Sequence, residues 1–125
     1  MELKFRSGGK PYSINILQLR YAQGLGKKSL LVPFKGKPLV YPYSLKRFLN
    51  KAKAFGFVHA QKSYVINHKA VIKTGYGHHH FALLDSDEEI YITKEAFEEL
   101  NVLIDAARRT IIPPREGNTP WVSPN

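Results

Sequence analysis

The run Ser44-Leu45-Lys46-Arg47-Phe48-Leu49-Asn50-Lys51-Ala52-Lys53-Ala54-Phe55-Gly56 carries the signals for both of its own ends. Ser44 is a residue type whose hydroxyl accepts from the unpaired amides of a first helical turn. Gly56 is the type that ends a helix in the left-handed conformation, with Phe57 placed to fold back on the last turn. Tyr43 stands where a hydrophobic staple would meet Phe48. Between these ends, Leu45, Phe48, Leu49, Ala52 and Phe55 recur at helical spacing and make one apolar stripe. Lys46, Arg47, Asn50, Lys51 and Lys53 take the rest of the circumference. The pattern predicts an amphipathic helix over 44–55 with one strongly basic face.

Upstream, Leu30-Leu31-Val32 and Leu39-Val40-Tyr41 flank Lys35-Gly36-Lys37 and predict a hairpin. Pro33, Pro38 and Pro42 cannot donate to a ladder, which assigns these strands to a sheet edge. Ile14, Leu17 and Tyr21 recur at helical spacing behind Ser13 and ahead of Gly24, so a helix is expected over 13–23; the alternation of Ile14 and Ile16 leaves a strand as the alternative. Leu3 to Phe5 predicts a short strand closed by the turn residues Ser7 to Pro11.

Downstream, Phe57 to Ala60, Tyr64 to Ile66 and Ala70 to Lys73 are short β-prone runs. His78 to Leu84 and Ile90 to Ile92 predict a hairpin turning at Asp85-Ser86-Asp87-Glu88, residues that bond their own backbone. A second helix is expected from a Thr93 cap to about Arg109. Glu95, Glu98 and Glu99 fall in its first turns and Arg108 and Arg109 in its last, matching the helix dipole. Pro113-Pro114 forbids continuation, leaving residues 113–125 as an extended tail rich in proline and holding the only tryptophan, Trp121.

These elements make an α+β domain over 1–112: two or three helices on small antiparallel sheets or hairpins, followed by the tail. Helix 44–55 with Phe57-Val58 and a basic hairpin behind it also has the element order of a winged helix, so a variant winged helix is the alternative.

With 125 residues, 43% hydrophobic and 23% charged, the chain has the composition of one globular domain rather than a disordered segment. The absence of cysteine excludes disulfide scaffolds, thiol catalysis and cysteine-ligated zinc, and fits a cytoplasmic or other intracellular reducing compartment. No run approaches the ~20 apolar residues of a membrane span. The opening Met1 to Lys10 lacks the apolar core of a secretory leader. No membrane partner and no cofactor are expected.

Charge is distributed unevenly. Residues 1–77 hold 15 of the 19 basic residues and one carboxylate, a net of +14, whereas residues 78–125 are net −5. From Leu3 to Leu84 there is no acid at all. Like charges repel, so 82 residues without a carboxylate imply a polyanionic partner. The expected function is non-enzymatic nucleic-acid binding, with duplex DNA slightly ahead of RNA. Lys46, Arg47, Asn50, Lys51 and Lys53 of the helix would carry the contact, with Lys62, Lys69 and Lys73 of the neighbouring basic hairpin. Arginine and asparagine can pair bidentately with guanine and adenine edges, while lysines anchor phosphates. Tyr41, Tyr43, Tyr64 and Tyr76 stand among lysines, as bases stacking beside a charged groove would require. The alternative is an assembly protein whose basic face meets an acidic protein surface and whose tail, anchored by Trp121, clips a neighbour. A third reading is a small nuclease using His78 and His80, which share a face if residues 78–84 form a strand; His59, His68, Asp85 or Asp87 would complete a zinc site.

Overall fold

The computed structural model describes residues 1–111, and the tail over 113–125 with its Trp121 lies outside the described residues. Five antiparallel strands form the middle layer: β3 (Leu19–Leu25), β4 (Lys28–Pro33), β5 (Leu39–Tyr41), β6 (Phe57–Gln61) and β7 (Tyr64–Asn67), in the order β5-β4-β3-β7-β6. A hairpin of β1 (Glu2–Ser7) and β2 (Lys10–Asn15) forms a separate sheet packed against it, as does a three-stranded antiparallel sheet of β8 (Val71–Tyr76), β9 (His80–Leu84) and β10 (Glu89–Tyr91). The helices are α1 (Leu45–Ala52), tightened into a 3-10 turn over Lys53–Phe55, and α2 (Lys94–Ile111). The fold is therefore small and mixed α+β, with antiparallel sheets and two helices. Among the described residues no helix is long and apolar enough to cross a membrane.

Alternation along the middle strands divides the core in two. Phe57 and Val65 join Leu19, Leu31, the α1 stripe Leu45, Phe48 and Ala52, and Leu3 and Phe5 of the β1–β2 hairpin. Their neighbours Val58 and Ile66 point the other way, into a second cluster with Ala82, Leu84, Ile90, Ala96 and Leu100. The five-stranded sheet is thus covered on both faces, which is why its strands read as nearly continuous apolar runs. Phe48 and Phe57 meet edge to face at 5.6 Å, and burying each ring contributes about 2–3 kcal/mol.

The helix specified by its own ends forms as expected. Ser44 Oγ accepts from the Arg47 amide at 3.2 Å. Gly56 closes the segment at φ 86°, and its carbonyl accepts from the His68 amide at 3.0 Å. His68 Nδ1 lies 2.9 Å from the same oxygen, and a methyl group built on Gly56 would overlap the His68 ring. The hairpins over 30–41 and 80–91 and the Thr93-capped second helix also form, with Thr93 Oγ1 accepting from the Ala96 amide at 3.1 Å.

Three expectations are corrected. Residues 13–23 are not a helix: β2 ends at Asn15, whose side chain caps one 3-10 turn over Ile16–Gln18, and β3 follows. Tyr21 and Ala22 are both buried because β3 lies between β4 and β7, so long-range pairing overrides the helical spacing of Ile14, Leu17 and Tyr21. That spacing had no apolar face to serve, since Leu17 is exposed. With strands rather than helices before α1, the winged-helix alternative does not describe the chain. Edge placement applies to β5 alone; β4 is interior and tolerates Pro33 because that residue is its last.

Candidate nucleic-acid interface

Four contacts gather separate segments at one end of the five-stranded sheet. The Gly24 amide donates to Ser63 O at 2.8 Å, setting the β3–β4 turn beside the β6–β7 turn. Ser29 Oγ donates to Tyr43 O at 2.9 Å and draws in the start of α1. The Thr93 amide donates to Ala60 O at 2.8 Å, and Gln61 Nε2 to Tyr91 O at 2.9 Å, adding the start of α2. Lys27, Lys28, Lys46, Arg47, Lys62 and Lys94, on these segments, are all exposed. Gly26 makes the first of these turns tight: it sits at φ 80° in a two-residue hairpin connection, a backbone angle glycine adopts without strain.

Side chains at this end are partly ordered in advance. The Arg47 guanidinium lies 3.7 Å from the Tyr43 ring centroid, a cation–π contact that restricts where its charge sits. Tyr41, beneath, packs against Tyr43 and Phe48, and burial raises its phenol above the ordinary range while the Arg47 charge opposes that shift. Beside them runs a shallow groove of about 340 Å³, floored by Leu45, Leu49 and Val65 and bordered by Lys46, Asn50, His59 and Lys62. Among the described residues the sole ion pair is Arg20 with Asp85, so none of the six cations is held by a carboxylate, and the nearest in sequence is Glu95, next to Lys94. The arrangement offers exposed positive charge beside a groove that is bordered by the Asn50 amide and the His59 imidazole.

Of the residues singled out from the sequence, Lys46, Arg47, Asn50 and Lys62 are brought together here. The others stand elsewhere. Lys51 borders a separate recess with Glu2, Lys4 and Phe55, and Lys53 begins the 3-10 turn that ends the helix. Lys69 follows β7 at the opposite end from Lys62, and Lys73 lies on β8 of the other sheet. Tyr41 is buried and unavailable for stacking on bases, and Tyr64 packs on Tyr21 at 5.7 Å. The strand expected from His78 begins at His80, which sits between Tyr76 and Phe97 at 4.3 and 4.7 Å. His79 stacks on Tyr91, and Asp85 is held by Arg20 at 2.7 Å. No three His, Asp or Glu residues among those described gather as metal ligands. Sequence reasoning did not single out Lys27, Lys28 and Lys94, and considered His59 only as a zinc ligand. The glycine-lysine-lysine turn was the available signal for the first two, hidden by treating Gly24 as a helix stop.

The family model described as the LytTr DNA-binding domain matches residues 9–105. No curated protein matches the chain. Among solved structures, the LytTr DNA-binding domain of a methyl-accepting/DNA response regulator from Bacillus cereus superposes with a TM-score of 0.65. That likeness covers 82% of this chain and 95% of that one at 12% identity, and so speaks for a shared fold. On the extent of the family match, the chain belongs to the LytTR family of DNA-binding domains.

Proposed function

We propose that the chain binds duplex DNA with the basic end of its five-stranded sheet, without catalysing a reaction. The observation that carries this reading is the gathering of the segments that bear Lys27, Lys28, Lys46, Arg47, Lys62 and Lys94, four stretches far apart in sequence, with none of these six cations held in an ion pair among the described residues. Lysines on turns and helix starts neutralise phosphates along two strands, fixing register without reading sequence. Asn50 and His59 then border the groove, where an amide can pair with an adenine edge and an imidazole can donate or accept. Duplex DNA suits this better than double-stranded RNA, whose narrow, deep major groove excludes side chains. Lys51, Lys53, Lys69 and Lys73 lie outside the contact in this reading and add only to the general field.

The test is a fluorescence-anisotropy titration against duplex DNA, single-stranded DNA and double-stranded RNA at several salt concentrations. Six phosphate contacts give a slope of log K against log salt of about −5 on duplex DNA. Duplex DNA should bind tightest with a slope of that order. A shallow slope, or preference for RNA, refutes the reading.

A further inference from the structure

A cleft lies at the other end of the five-stranded sheet, where Leu19 pairs with Pro33 and the Phe34 amide donates to Gln18 O at 2.9 Å. Its volume is about 580 Å³, within the roughly 300–1,000 Å³ of sites that hold small organic ligands. Ile14, Leu17, Leu19, Phe34 and Leu39 supply an apolar lining, and Leu17 remains 40% exposed with nothing described over it.

The walls are tied in place. Asn15 Oδ1 accepts from the Leu17 amide at 3.0 Å, holding one wall. Arg20 holds the other: it donates to the carbonyls of Pro33 and Phe34, each at 3.3 Å, and its guanidinium lies 5.2 Å from the Phe34 ring centroid. Arg20 is itself neutralised by Asp85 at 2.7 Å. Lys35 and Lys37, on the rim, are exposed and without an ion-pair partner among the described residues, in a part of the chain that holds no carboxylate. An apolar cleft with fixed walls and two unneutralised ammonium groups at its mouth is complementary to a molecule with an apolar body and one anionic end.

We propose that this cleft is a binding site for a small amphipathic carboxylate, whose apolar body lies on Leu17, Leu19 and Phe34 and whose carboxylate meets Lys35 and Lys37. The site is separate from the end proposed for DNA, so either can be occupied with the other filled.

The experiment is an amide-resolved NMR titration of the full chain with 4-phenylbutyrate, and with its neutral alcohol 4-phenylbutan-1-ol. The acid should give saturable shifts confined to residues 14–19 and 33–39. It should bind about fivefold tighter than the alcohol, the contribution of partly exposed ion pairs. Lys35→Ala with Lys37→Ala should abolish that preference, and Leu17→Asp should weaken both ligands. Equal binding of acid and alcohol by the unmodified chain, shifts that never saturate, or shifts centred elsewhere overturn the proposal. So does competition: a duplex that displaces the acid would assign these lysines to the DNA contact. DNA binding lost with the acid site intact would instead fail the DNA reading alone.

Discussion

Replacing Gly56 by alanine should destabilise the chain through two separable effects. The residue sits at φ 86°, where an added Cβ costs about 1 kcal/mol in backbone strain. The same methyl overlaps the His68 ring, which must swing away and give up its 2.9 Å contact with Gly56 O, a further ~1 kcal/mol. Together these lower the melting temperature by about 6–10 °C for a domain of this size. In a His68→Ala background the ring is already gone, so Gly56→Ala should then cost only the strain, about 1 kcal/mol. Thermal and urea unfolding of the four proteins of the cycle give a coupling of about 1 kcal/mol. Equal costs in both backgrounds would refute the claim that His68 seals the end of α1.

Asn67 is fully buried, donating to Leu19 O at 2.9 Å and accepting from the Lys69 amide at 3.0 Å. Asn67→Leu should cost about 2 kcal/mol or more by leaving both groups unpaired, and Asn67→Asp should cost as much at pH 7 but recover as pH falls and the carboxyl becomes a donor; urea unfolding at pH 5 and 7 checks this. Burial and the hydrogen bond to Glu88 raise the Tyr21 phenol from 10.0 to about 12. The protonated form is favoured by folding, so its contribution is intact below pH 10 and is lost as pH rises from 10 to 12. Tyr21→Phe should therefore flatten stability against pH in that window relative to the unmodified chain, and parallel curves would count against the assignment.

Helix α1 was legible because its information is local: a cap at Ser44, a stop at Gly56 and a stripe whose members lie within one segment. The 80–91 hairpin and α2 were legible for the same reason. β3 was not, because what buries Tyr21 and Ala22 is pairing with Ile66 and Val65, more than forty residues away. The candidate interface was half legible. Its helical portion followed from charge on one face, but Lys62 joins Lys28 only through the β3–β7 pairing that ends at Gly24 and Ser63. Lys69 and Lys73 failed to join for the converse reason, since closeness in sequence to Lys62 places them on the far side of β7 and in another sheet. Tyr41 illustrates the limit of composition: tyrosine among lysines is as compatible with an aromatic core edge as with stacking on bases.

The central claim concerns where the charge acts, and a matched pair of charge reversals tests it. Lys28→Glu with Lys62→Glu, and Lys35→Glu with Lys37→Glu, change the net charge equally at opposite ends of one sheet. Duplex affinity should be measured by anisotropy across a salt series for both variants, with folding verified by melting. The first variant should lose most of its affinity, and its salt slope should shrink by about 2, one for each phosphate contact removed. The second should stay within about threefold of the unmodified chain, the share due to long-range field alone. Equal losses in the two variants, or a greater loss in the second, would contradict the account.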